Sequence, residues 1–256
     1  MEHLFYYQEF LPDKLLAPYI DKYWVAQGSV AESFTMKVLP DGCIDIIFAW
    51  DDSALERGMA EAVPYVIGGG DVFFEEVIAG RVKMFGIRFK PVGIRAFIRT
   101  SAPEMTGQII ELAHQDSLFG KDFSEIINYA EPLASQIQQM DQHIISKLPK
   151  LYSTEQRIVK AVEWIEQHHG IISIPTLADK ACLSPRQFER LFKNEIGLSA
   201  KTFSRIARMK HAQEYLHSNP DHSIFDVAIH CGYYDCAHLD KEFRALTGEP
   251  PSFYIP

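Results

Sequence analysis

Between Pro185 and Ile196, three cations, Arg186, Arg190 and Lys193, recur at i, i+4 and i+7, with Gln187 and Glu189 beside them. On a helix this spacing sets the cations along one face. A guanidinium in that setting can donate in pairs to O6 and N7 of guanine, and a carboxylate such as Glu189 can accept from a cytosine amino group. A charged helix face is by itself usually only a solvated one, so its meaning depends on the element that carries it. Phe188, Leu191, Phe192 and Ile196 form the opposite, apolar face. Ser184 is an N-cap, Pro185 stands at the first helical position where its missing N–H costs nothing, and Gly197 supplies the stop. A short supporting helix, Thr176–Ala181, precedes it. The pair reads as a helix-turn-helix, whose second helix presents its outer face to base edges.

The same pattern recurs downstream. Ile174, Leu177 and Ala178 align with Ile224, Val227 and Ala228 at an offset of 50, whereas Phe188, Arg190, Phe192, Gly197 and Phe203 align with Leu239, Lys241, Phe243, Gly248 and Tyr254 at an offset of 51. The extra residue falls in the turn, where loop length is tolerated; inside a helix it would rotate the apolar stripe off the core. In the second unit Gly232 fits a turn with positive φ and Asp235 an N-cap. Leu239, Phe243 and Leu246 face inward, leaving Cys236, Ala237, Asp240, Lys241 and Arg244 outward. This face is less basic, and Asp240 repels phosphates unless it meets a base amino group. Between the units, Ser199 to His217 reads as one amphipathic helix with Phe203, Ile206, Met209 and Leu216 on its buried side. Such a spacer suits the separation of about 34 Å between successive major-groove faces of a duplex. Lys201, near its start, is placed for a phosphate.

The element order predicts an α+β chain: residues 1–150 a small β-barrel or cupin-like domain with helices at its end, residues 151–256 an all-α domain of two helix-turn-helix units joined by a long helix. Segments 43–50, 65–69, 71–80 and 82–89 are rich in branched and aromatic residues and separated by Gly, Pro and Asp, which reads as short strands. Residues 104–148 read as helical. Leu133, Ile137, Met140, Ile144 and Leu148 form a stripe too short for a coiled coil, which packs on the barrel or forms a dimer seam. Ser153 and Gln156 fit a capping box opening a helix that runs to His168.

The 256-residue chain has a formal net charge of −9, unevenly placed. Ser184–Lys210 holds seven basic residues, Arg186, Arg190, Lys193, Lys201, Arg205, Arg208 and Lys210, against Glu189 and Glu195. Salt screens charge beyond about 10 Å, so the local field outweighs the molecular total. The four cysteines are scattered and no stretch reaches the length of a membrane span; the expectation is a cytoplasmic protein with no membrane association.

The segments LADKACLSPRQFERLFKNEIGLS, RMKHAQEYL and SIFDVAIHCGYYDCAHLDKEFRALTGEPPSFY closely resemble the AraC/XylS family of bacterial transcription regulators, over about 100 residues, in order and spacing of both units. The resemblance implies base contacts by residues 186, 189, 190, 236, 237, 240 and 241. The chain departs from the family's pattern at Ala200, Phe203 and Pro250, positions that concern the linker start and the C-terminal end. The N-terminal half resembles, less specifically, sensory domains of this family with a Pro-Asp-Gly turn before a strand (LPDGCIDIIF) and a later Gly-x-Arg-Phe (Gly86–Phe89).

A sensory domain implies an effector. Asp45 lies among isoleucines and calls for a partner, for which Arg88 is the candidate. Trp24, Phe48, Trp50, Phe73 and Phe85 are aromatics that either line an apolar pocket with that pair or are simply core. Residues 4–113 contain no histidine, so a metal-binding cupin site is not expected. His230, Cys231, Cys236 and His238 match no zinc spacing. There is no P-loop, nucleophile elbow or His-Glu-x-x-His, so neither a cofactor nor an enzymatic activity is expected. The expected partners are double-stranded DNA, a small-molecule effector, RNA polymerase if the protein is an activator, and a second copy of the chain. The alternative is a regulator controlled through protein–protein contacts of the N-terminal domain, with no small-molecule ligand.

Overall fold

The computed structural model describes residues 6–50, 52, 63–127 and 131–255. The chain divides into two compact units, one built from residues 1–36, 43–69 and 76–154, the other from 37–42, 70–75 and 155–256. The boundary expected between 150 and 151 thus falls at 154, and two short segments of the N-terminal half belong to the second unit.

The first unit is a sheet with helices. Its strands are β1 (Tyr6–Phe10), β2 (Ile20–Val38), β3 (Ile44–Ala49), β4 (Pro64–Gly68), β5 (Phe74–Phe89) and β6 (Ile109–Glu111), in the order β1-β2-β5-β3-β4-β6. The ladders β1–β2, β5–β3, β3–β4 and β4–β6 are antiparallel. The segments expected as two strands, 71–80 and 82–89, are one long strand, β5, because Gly80 carries the chain onward at a φ of +63°. Residues 104–148 are only partly helical: α1 (Ala102–Met105) is a single turn, β6 follows, and the long helix α2 starts at Leu133 and ends at Ile145. Strand β6 lies beyond sequence reading because three residues are too few for a period of two to register.

Alternation along the strands builds two cores. Ile44, Ile46 and Phe48 of β3, with Tyr23, Val25, Phe85, Ile87 and Phe89, pack with Met140 and Ile144 of α2, and Leu133, Ile137 and Leu148 lie against this cluster. The α2 stripe therefore covers the core of its own unit. On the other sheet face Trp24, Ala26, Val30, Ala49, Tyr65, Ile78, Val82 and Met84 form a smaller cluster.

The helices of the second unit are α3 (Gln156–Gln167), α4 (Ile174–Lys180), α5 (Pro185–Ile196), α6 (Ala200–Ser218), α7 (Ile224–His230) and α8 (Cys236–Thr247). The expected capping box at α3 is replaced: Glu155 is the N-cap, its carboxylate accepting from the Arg157 N–H. A carboxylate held by the adjacent guanidinium, with bonds of 2.7 and 2.8 Å, wins over the neutral Ser153 hydroxyl. Among the described residues no helix is long and apolar enough to cross a membrane.

Candidate nucleic-acid interface

The duplication read from the sequence is present in the fold. Helices α4 and α7 each span seven residues and are offset by 50; α5 and α8 each span twelve and are offset by 51. The caps repeat as well. Ser173 and Ser223 cap the supporting helices, Ser184 and Asp235 the second helices, and Gly197 and Gly248 end them in the left-handed conformation. Both turns also need one residue with positive φ, supplied by Cys182 (+54°) in the first unit and Gly232 (+74°) in the second.

On α5, Phe188, Phe192 and Ile196 are buried, while Arg186, Gln187, Arg190 and Lys193 are exposed and Glu189 is half-buried. Among the described residues Arg186, Arg190, Lys193 and, on α6, Lys201 hold no ion pair, so their donors remain available to an external acceptor. Gln187 is committed differently. Its side-chain carbonyl accepts from the Ser184 N–H at 3.2 Å and hydroxyl at 2.8 Å, completing a capping box; only its side-chain amide nitrogen remains to donate outward.

On α8, Ala237 and Lys241 are exposed and Cys236 and Asp240 half-buried. Asp240 accepts from Arg244 Nε at 2.8 Å, so these two charges offset one another instead of facing outward separately. Two residues missed by the sequence reading matter here. Tyr234, immediately before the Asp235 cap, is 87% exposed. Glu242 is buried and accepts from Arg205 Nε of α6 at 2.7 Å, with Arg208 3.9 Å from its other oxygen and His238 3.8 Å away. Arg208 also donates to Gly170 O at 2.8 Å. Two of the seven cations counted between 184 and 210 thus hold the spacer helix to its surroundings. Only the three-dimensional partner distinguishes them from Arg186 and Arg190; a Glu at 242 offers no signal toward residue 205.

The seven residues suggested as effector-facing do not come together. Trp24, Asp45 and Arg88 share one sheet face. Asp45, opposite Arg88 in the β3–β5 register, accepts from Arg88 Nε at 3.3 Å and from Trp24 Nε1 at 2.7 Å. Gly86 beneath the indole is obligatory, since a Cβ there would lie 2.0 Å from a ring carbon. Tyr7 stacks on Trp24, and its hydroxyl donates to Glu9, which is paired with Lys22 at 2.9 Å. Phe48, Trp50 and Phe85 belong to the opposite core, where alternation along β3 and β5 directs them. Phe73 belongs to the second unit, its N–H donating to Leu246 O at 3.0 Å.

Residues 177–255 match a family described as a helix-turn-helix domain, and residues 8–111 a domain of unknown function (DUF6597). The chain is 29% identical over 101 residues to an HTH-type transcriptional regulator of Bacillus subtilis, YbfP, covering 39% of this chain and 34% of that protein. It is 27% identical over 154 residues to the arabinose operon regulatory protein of Escherichia coli, covering 55% of this chain and 51% of the relative. Among solved structures, the DNA-binding domain of AdpA in complex with a target DNA is 30% identical over 40% of this chain and 90% of that one, with a TM-score of 0.36. The chain carries a helix-turn-helix domain over residues 177–255 and a domain of the DUF6597 kind over residues 8–111. It spans about a third to a half of the length of the relatives it matches.

Proposed function

We propose that the protein is a sequence-specific DNA-binding regulator of transcription, in which the second unit reads DNA and the first governs that reading. One observation carries this: two copies of the same capped helix pair, one with exposed Arg186 and Arg190, unpaired among the described residues, on its second helix, are joined by a 19-residue helix whose inner face is fully buried. A rigid spacer is the physical requirement for placing two helices in successive major-groove faces. Arg186 and Arg190 donate to guanine, Glu189 accepts from a cytosine amino group, and Lys193 and Lys201 neutralise phosphates. Lys241 and Ala237 contact bases from the second unit. A cytoplasmic regulator of this kind meets RNA polymerase if it activates, and a second copy of the chain is the further candidate partner.

In the first unit, the Trp24–Asp45–Arg88 set, beside the Glu9–Lys22 pair, puts charged, hydrogen-bonding groups next to the apolar cluster of one sheet face, which supports a small-molecule effector over control by a protein partner alone. Thermal shift of the full chain across a metabolite library separates the two: no stabilising compound favours the protein partner.

The DNA reading is tested by binding-site selection with the full chain, followed by Arg190→Ala and Lys201→Ala. Arg190→Ala costs about 1–3 kcal/mol on the selected site and relaxes one position, whereas Lys201→Ala weakens all sequences alike. Absence of any selected sequence, or identical profiles for the two variants, refutes this assignment.

A further inference from the structure

The two second helices present different chemistry. On α5 the exposed groups are long, charged and hydrogen-bonding: Arg186, Arg190 and the half-buried Glu189. At the corresponding end of α8 the polar groups are already engaged. His238 Nδ1 accepts from the Tyr234 N–H at 3.3 Å, Asp235 caps the helix, and Asp240 holds Arg244. What remains toward solvent at the start of α8 is mostly apolar, namely the Tyr234 ring, the Ala237 methyl and the Cys236 thiol, with the exposed cation Lys241, the counterpart of Arg190, one turn further on. The one apolar feature of a base edge in the major groove is the C5-methyl group of thymine, which small apolar and aromatic side chains contact.

We propose that the protein reads a bipartite site of two dissimilar halves, one carrying guanine, read by α5, and one carrying thymine, read through its methyl groups by Tyr234, Cys236 and Ala237. This rests on the reading of the second unit as a DNA-binding domain. Tyr234 is the specificity-determining residue of the second half. Its near-complete exposure means that the fold makes little use of the ring, while its place one residue ahead of the α8 cap sets it where such helices meet base edges.

The experiment is selection of duplexes from a random-sequence library by the full chain, followed by replacement of each selected thymidine with 2′-deoxyuridine, which removes only the methyl. Expected are two halves centred about 10 base pairs apart. Deoxyuridine weakens binding about fourfold per contacted methyl in the second half and leaves the guanine half unaffected. Tyr234→Ala removes the thymine preference, and Tyr234→Phe retains it. A second half that selects G·C pairs, tolerates deoxyuridine, or keeps its preference in Tyr234→Ala overturns the proposal while leaving the DNA-binding reading intact. No enrichment of any sequence overturns both.

Discussion

Arg205 Nε on the spacer helix lies 2.7 Å from Glu242 Oε1 on the second helix of the second unit, 37 residues away in the chain. The Glu242 side chain is 11% exposed and that of Arg205 31%, so the pair stands between a surface ion pair and a buried one. It fixes α8 to α6 by charge as well as by packing. Glu242→Ala leaves Arg205 partly buried without its acceptor and Arg208 without its counter-charge, and destabilises the protein by about 2–3 kcal/mol. Glu242→Gln, which keeps the shape and one acceptor oxygen, loses about half of that. Urea unfolding followed by circular dichroism measures both; equal stability of Glu242→Ala and wild type dismisses the clamp.

Cys182 and Gly232 hold equivalent places in the two turns, and only the second has the residue that positive φ favours. A non-glycine residue in the left-handed region costs about 1–2 kcal/mol, offset in part by the greater unfolded-state freedom of glycine. Cys182→Gly therefore stabilises by about 0.5–1 kcal/mol, seen as a higher Tm. The converse, Gly232→Ala, strains the turn and sets its Cβ 2.9 Å from the Ile171 side chain, so the Tm falls. A lower Tm for Cys182→Gly would show that the thiol makes up for its backbone.

Acid lowers stability through histidines. His211 on α6 stacks on His169 at 3.8 Å, and Tyr215 on the same helix stacks on His230 at 4.1 Å. Burial, then the proximity of His169 and His230, holds the His211 imidazole below its ordinary value of 6.5, against the opposing pull of Glu214. In the first unit His143 is lowered in the same direction, by burial first and then by Lys147. A depressed folded-state value means that the unfolded chain binds the extra proton more readily. The stabilisation is therefore complete above 6.5 and is lost as pH falls below it. Tm falls between about pH 7 and pH 5.5, and His211→Phe, which keeps an aromatic ring without a titratable group, flattens part of that slope. A Tm that rises on acidification contradicts the assignment.

Asp45 is 8% exposed and bonded to both Trp24 and Arg88. Asp45→Asn keeps an acceptor for the indole but loses the charge that matches Arg88, at a cost of about 1–3 kcal/mol. Trp24 fluorescence shifts with it because its hydrogen-bond acceptor has changed. Unaltered stability, emission and response to an effector would show that the carboxylate has no role on this sheet face.

What was legible in the sequence follows the range over which each signal acts. Helices α5 and α8 begin and end where Ser184, Asp235, Gly197 and Gly248 place them, since caps and left-handed stops act within one turn of backbone. Asp45 could be matched to Arg88 because a charge among isoleucines demands a partner. The 19-residue strand β2 was not legible as one element: most residues from Ala31 onward are exposed, so the alternation of Phe34, Met36 and Val38 with Thr35 and Lys37 marks no buried face. The grouping of seven effector-facing residues dissolved for a related reason. Composition identifies aromatics that are to be buried, and only strand register decides on which side.

The amino-acid order alone determined the repeated helix pair, its caps, the one-residue growth of its turn and the cations along α5, because these depend on neighbours a few positions apart. Tertiary structure alone decided which cations are spent internally, placing Arg205 on Glu242 and Arg208 on Gly170, and which polar groups of α8 are already satisfied. A hydrogen bond is a matter of distance in space, and residues 37 positions apart meet only after the helices have packed.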